Sequence, residues 1–140
     1  MIELIYKSQA NYGFDKPMIE DLLTQARESN AQNDITGMLF FDGEYFVQLL
    51  EGPLEKIEPL YDVICNDKRH SDIKQIYSGG IRRRSFNEWH MGYEFVSPLT
   101  GEKLEYASAQ CELELQEQSV DHSRGITFFK YLKDGNTETL

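Results

Sequence analysis

The sequence is poor in several things. It has two cysteines, four prolines and one tryptophan in 140 residues. Cys65 and Cys111 have neither a partner pattern nor metal-ligand spacing, so they suggest neither a disulfide framework nor a metal site. His90 and His122 find no ligand at metal spacing either. No apolar run approaches the ~18–20 residues that cross a bilayer. Met1 to Tyr6 carries no basic segment and no long apolar stretch, so no signal peptide is visible and a cytoplasmic protein is expected. Cations are scarce: 14 Lys and Arg stand against 24 Asp and Glu, a net charge of −10. Nucleic acid would be repelled at long range. An anionic ligand would need a local cluster of cations or a helix N-terminus. There is no nucleophile elbow, P-loop, internal repeat or low-complexity stretch.

What is present is ordinary globular composition, with 40% hydrophobic and 27% charged residues. The length suits about one domain. Ile2 to Ser8 alternates as a strand, with Ile2, Leu4 and Tyr6 on one face. Pro17 suits the first turn of a helix, whose stripe is Ile19, Leu22, Leu23 and Ala26. Four residues on, Asn30 continues that stripe, or caps the helix. Ile35–Phe41 and Tyr45–Glu51 are strands joined by Asp42-Gly43, a strong hairpin signal. Gln48 shares a face with Phe46 and Leu50. Gly52-Pro53 opens a second helix with the stripe Ile57, Leu60, Tyr61 and Ile64, extended by Asp67. Pro59 conflicts with a start at Leu54, so a later start or a bend is expected. Asp72–Ser78 is a weaker strand, and Gly79-Gly80 marks its end or a bulge. His90–Val96 reads as a last strand. Arg82-Arg83-Arg84 reads as a solvated loop, and Cys65 as a small buried residue.

The order strand, helix, strand, strand, helix, strand, strand predicts an α+β, ferredoxin-like βαββαβ(β) sheet with two helices on one face. In that plan Tyr6, Asn30, Gln48 and Asp67 converge between the helices. Unpaired, each would cost about 1–3 kcal/mol. A planar polar ligand between the apolar walls Leu22 and Ile64 would satisfy all four. Taken singly, each is ordinary: Tyr6 a sheet tyrosine, Gln48 a satisfied core amide, Trp89 and Met91 core residues. The functional reading rests on their joint spacing.

These residues resemble a known family. Leu4-Ile5-Tyr6-Lys7-Ser8 is similar to its opening strand. Asn30, with Asp34-Ile35-Thr36-Gly37-Met38-Leu39-Phe40-Phe41, and Phe46-Val47-Gln48-Leu49-Leu50-Glu51-Gly52 resemble its central signatures. Asp67-Lys68-Arg69-His70 and Phe86-Asn87-Glu88-Trp89-His90-Met91 follow at the matching spacing. The family is BLUF, the sensors of blue light using FAD, and the resemblance runs over about residues 1–96. It implies a non-enzymatic photoreceptor that binds FAD non-covalently, with FMN or riboflavin as substitutes. It implies that Tyr6 is the electron and proton donor to the excited flavin and that Gln48 bridges Tyr6 and the ring. Asn30 and Asp67 would hold the polar edge of the ring, and Leu22 and Ile64 its faces. Arg69 and His70 would lie near the ribityl–phosphate portion. Trp89 and Met91, on the last strand, would report the change of Gln48. Two positions depart from the family pattern: Ser29 stands where a second Asn or a His is frequent, and Val63 where some relatives carry an Arg.

Two other readings compete. An acyl-phosphate hydrolase of the same fold class would need an Arg-bearing anion loop after the first strand. A flavin-binding interaction module would not respond to light. Residues 97–140 read as a C-terminal, mostly helical cap. Tyr106–Val120 and Gly125–Leu132 are the candidate helices, with a strand as the alternative around Cys111, Leu113 and Leu115. The charge is spread, −6 over residues 1–96 and −4 over 97–140, so the tail is not an acidic arm. With no room for an effector domain, output is expected through an unknown downstream protein or a homo-oligomer interface.

Overall fold

A computed structural model describes residues 1–117 and 124–134. The elements are β1 (Ile2–Ala10), α1 (Lys16–Gln32), β2 (Thr36–Phe41), β3 (Tyr45–Gly52), α2 (Leu54–Cys65), β4 (His70–Gly80), β5 (Gly92–Phe95), α3 (Gly101–Glu117) and α4 (Arg124–Asp134). The sheet order is β4-β1-β3-β2-β5. The first four strands pair antiparallel, and β5 runs parallel to β2. This is the expected ferredoxin-like plan with one added edge strand.

Local chemistry sets the boundaries. Asp15 caps α1 by accepting from the Met18 amide at 2.9 Å. The helix ends at Asn33, so Asn30 is not its cap; it lies inside the last turn, buried. Asp42 Oδ1 accepts from the Glu44 and Tyr45 amides, and Gly43 takes a φ of 99°, which closes the β2–β3 hairpin. α2 starts at Leu54 and runs through Pro59, neither later nor broken there. Pro59 lies on the exposed face, and the Glu55 carbonyl it leaves unbonded belongs to an exposed residue of the first turn. β5 begins at Gly92, so Trp89 and Met91 lie in the preceding loop rather than on the strand.

The two sheet faces carry separate cores. On one, Leu4, Tyr6, Leu39, Phe41, Phe46 and Leu50 pack with Ile19 and Leu23 of α1 and Ile57 of α2. On the other, Ile5, Met38, Phe40, Val47 and Leu49 pack under α3 and α4. Phe128, Phe129 and Leu132 of α4 are buried there, with Phe129 against Phe40 at 4.7 Å between ring centroids. Each such side chain contributes roughly 1.5–3 kcal/mol by leaving water. The stretch around Cys111 and Leu113 is helix, not strand. The end of the expected Tyr106–Val120 helix, and His122, lie outside the described residues. No helix among the described residues is long and apolar enough to cross a membrane.

Candidate functional site: a cleft between the two helices

β1 and β3 pair so that Tyr6 faces Gln48 directly. Both side chains point to the face under α1 and α2, where they floor a cleft of about 270 Å³. Its walls are Leu22 and Ala26 of α1 and Leu60 and Ile64 of α2, and Phe46 and Leu50 flank Gln48 on the floor. Asn30 and Asp67 line the cleft as well. The cleft is thus apolar on its flanks, with a few polar groups turned inward, as ligand sites usually are.

The Tyr6 hydroxyl donates to Gln48 Oε1. Tyr6 is 4% exposed. Burial, and then the neighbouring Tyr61, Cys65 and Asp67, push its phenol far above the usual tyrosine range. It therefore stays a protonated donor at any ordinary pH. That orients the amide: Oε1 faces Tyr6, and Nε2 faces Met91 Sδ at 3.3 Å. The second contact is to a thioether, a weak acceptor.

Asn30 is 2% exposed. Its Nδ2 donates to the His90 carbonyl at 2.6 Å. Among the described residues its Oδ1 receives no hydrogen bond. Asp67 accepts from the Arg69 amide and guanidinium, at 2.6 Å to Nη2. That pairing holds the Asp67 carboxyl below its ordinary value and raises Arg69. His70 also lines the cleft, with Nδ1 2.7 Å from Ser8 Oγ and Nε2 2.6 Å from the Ile64 carbonyl. A carbonyl only accepts, so Nε2 carries a proton. Cys65 is exposed rather than buried.

The loop from Ile81 to Met91 is pinned by groups the sequence does not advertise. Glu51 is fully buried, and its carboxylate accepts from the Ser85 and Phe86 amides at 2.8 and 2.7 Å and from Thr36 Oγ at 2.9 Å. Arg84 is not a solvated loop residue. It donates to Thr36 Oγ and to the Asp34 and Glu51 carbonyls, and it pairs with Asp34 Oδ1 at 3.0 Å. Arg27 of α1 donates to the Met91 carbonyl at 3.0 Å. Met91 is 2% exposed and Trp89 50%, so Met91 is the one turned in toward Gln48. Trp89 stacks on Phe86 at 6.0 Å, and Phe86 meets Phe129 of α4 edge-on at 6.5 Å. Contacts therefore run unbroken from Met91's loop to the cap.

The structure brings Tyr6, Leu22, Asn30, Gln48, Ile64, Asp67, Arg69 and His70 to one cleft. Sequence reading missed Phe14, Gln25 and Phe46. Phe46 shares the face of Gln48 at a two-residue spacing, and Gln25 extends the Leu22 edge of α1, so both signals were there. Burial of Glu51 had no such signal. The loop after β1, residues 11–15, carries no Arg or Lys, which leaves acyl-phosphate chemistry without its anion loop. No group of three or more His, Cys, Asp or Glu that could hold a metal occurs among the described residues.

The family model described as BLUF, sensors of blue-light using FAD, matches residues 1–92. The blue light- and temperature-regulated antirepressor BluF of Escherichia coli K12 is 38% identical over 85 residues, 61% of this chain and 21% of that protein. The chain thus spans about a fifth of that relative's length. The dark-state structure of BlrB, a BLUF protein, is 25% identical with a TM-score of 0.68, covering 99% of this chain and 96% of that one. The photo-activated state of BlsA is 27% identical with a TM-score of 0.65, covering 96% and 93%.

Proposed function

The chain belongs to the BLUF family, the sensors of blue light using FAD, and on that premise we propose that its cleft holds FAD and that light rearranges the Tyr6–Gln48 pair. The observation that carries this is the Tyr6 hydroxyl bonded to Gln48 Oε1 on the cleft floor, with Met91 at the amide's other end. The donor set fits an isoalloxazine. Its imide edge alternates carbonyls with one N–H, and the buried Asn30 Oδ1 is an acceptor for that N–H at the cleft wall, while Asp67 lines the cleft paired with Arg69. Leu22 and Ile64 offer apolar flanks to the ring. Arg69, at the cleft wall, supplies the cation that an acidic chain needs for a phosphate.

Bound flavin supplies the absorption of blue light and, once excited, an electron acceptor. Tyr6 would give up an electron, and its proton would go to the acceptor that its hydroxyl has among the described residues, Gln48 Oε1. Gln48 then turns over or tautomerises. Either change exchanges the donor and acceptor ends of one amide without disturbing the strands. A reversed amide would set Oε1 against the Met91 thioether, which has no proton to give. The dark orientation is therefore favoured by a modest margin, as a switch that relaxes unaided requires.

Met91 feels the change first. From there the route is the Glu51-pinned loop, Trp89 on Phe86, and Phe86 on Phe129 of α4. We assign residues 1–96 to the flavin-binding unit and 97–140 to a cap that carries the signal to a downstream protein or a second copy of the chain. The test is reconstitution with FAD and absorption before and after blue light. The expected result is a yellow protein whose band moves to longer wavelength and returns in darkness. A protein that stays colourless, or a spectrum unmoved by light, overturns the proposal.

A further inference from the structure

The Tyr6 ring lines the cleft and also packs on Tyr61 of α2, with centroids 5.7 Å apart and planes inclined at 53°. Tyr61 is half-buried and does not line the cleft. Cys65 follows four residues later on the same helix face. It is exposed, and its thiol interacts with the Tyr61 side chain. Three oxidisable side chains thus form a line from the buried cleft to the surface of α2.

Their surroundings differ in one respect that matters for oxidation. A phenol that loses an electron must also shed its proton. Among the described residues the Tyr6 hydroxyl donates to Gln48, so its proton would pass there and return. Tyr61 reaches solvent, so its proton can leave for water. Burial raises the Tyr61 phenol to about 12, with Cys65 adding to the effect. Once its proton has left for bulk water, its oxidation is not undone as easily as that of Tyr6.

We propose that Tyr61 is a second redox-active tyrosine, which refills the electron lost by Tyr6 and hands the oxidising equivalent to Cys65 at the surface. The proposal rests on the photochemical reading above, which supplies the oxidant, the photoexcited flavin. The balance is simple. Tyr61 gives one electron to oxidised Tyr6 and one proton to water. Tyr6 takes its own proton back from Gln48 and is restored. Cys65 then gives a hydrogen atom from its S–H bond to Tyr61, which is restored in turn. The net change is one electron taken from the Cys65 thiol, one proton released, and the electron left on the flavin. This branch competes with the return of that electron to Tyr6, so it drains a share of excitations from the reversible cycle. It leaves a thiyl radical on an exposed cysteine and the electron on the flavin.

The test uses the FAD-loaded full chain under blue light with the nitrone spin trap DMPO, followed by peptide mass analysis. The expected result is a light-dependent adduct on Cys65, with none on the buried Cys111. In Tyr61→Phe the adduct falls to the dark level while the reversible red shift persists. In Cys65→Ser the adduct moves to Tyr61. A wild-type protein with a normal red shift and no adduct on Tyr61 or Cys65 overturns this proposal alone. So does a Cys65 adduct undiminished in Tyr61→Phe. Absence of the red shift in the wild type overturns the photochemical reading, and this proposal with it.

Discussion

Tyr6 and Gln48 stand opposite each other across β1 and β3, and the Tyr6 hydroxyl donates to Gln48 Oε1 beneath two helices. Both groups are buried, Tyr6 at 4% and Gln48 at 8% exposed. Removing one partner strands the other at a cost of about 1–3 kcal/mol, whereas replacing both with apolar groups is nearly neutral. Tyr6→Phe and Gln48→Leu should each destabilise the flavin-free protein by that amount, and the double variant by less than the sum. Urea unfolding of the four proteins checks this; strictly additive losses would show that the pair is not coupled.

Met91 presents a thioether to Gln48 Nε2. Met91→Leu keeps volume and should cost less than about 1.5 kcal/mol. It removes the only acceptor that the described residues offer the dark-state amide at that end. The variant is expected to bind flavin and shift under light, but to recover more slowly in darkness. Flash absorption gives the recovery time, and an unchanged time would mean that Met91 does not sense the amide.

Glu51 holds two loop amides and the Thr36 hydroxyl with one buried carboxylate. Glu51→Ala strands all three, and at about 1–3 kcal/mol each the total loss should be at least about 3 kcal/mol. Thermal unfolding should show it plainly. The cleft residues are untouched, so flavin binding should survive at low temperature.

Asp67 has its carboxyl lowered by the Arg69 guanidinium. A carboxyl lowered in the folded state stabilises above its unfolded value, and that contribution is lost as pH falls through the folded value. The window therefore opens near 3.8 and extends downward. The pair is partly exposed, so its contribution is at the small end for surface ion pairs, roughly 0–1 kcal/mol. Wild type should exceed Asp67→Asn in stability at neutral pH, and the difference should vanish at the acid end. A difference that persists below the window would mean that the pair is not its source.

The fold was legible because its elements are periodic and its hairpin carries Asp42-Gly43. Alternation put Tyr6 and Gln48 on one face, and helical spacing put Leu22 and Asn30 on another. What was not legible is long-range. Asn30 looks like a cap until Asn33 takes that place. Trp89 and Met91 look like strand residues until Gly92 proves to be where pairing with β2 begins. Arg84 looks solvated because its partners, Thr36, Asp34 and Glu51, lie more than 30 residues away. Cys65 looks buried beside Ile64, yet falls on the outer side of the last turn of α2. Periodicity reports the face of an element and is silent about what another element brings to that face.

The most direct measurement is the light-minus-dark absorption spectrum of the FAD-loaded wild type beside that of Tyr6→Phe. A reversible shift to longer wavelength is expected in the wild type, and bound flavin without that shift in Tyr6→Phe. An equal shift in both proteins would show that Tyr6 is not the donor.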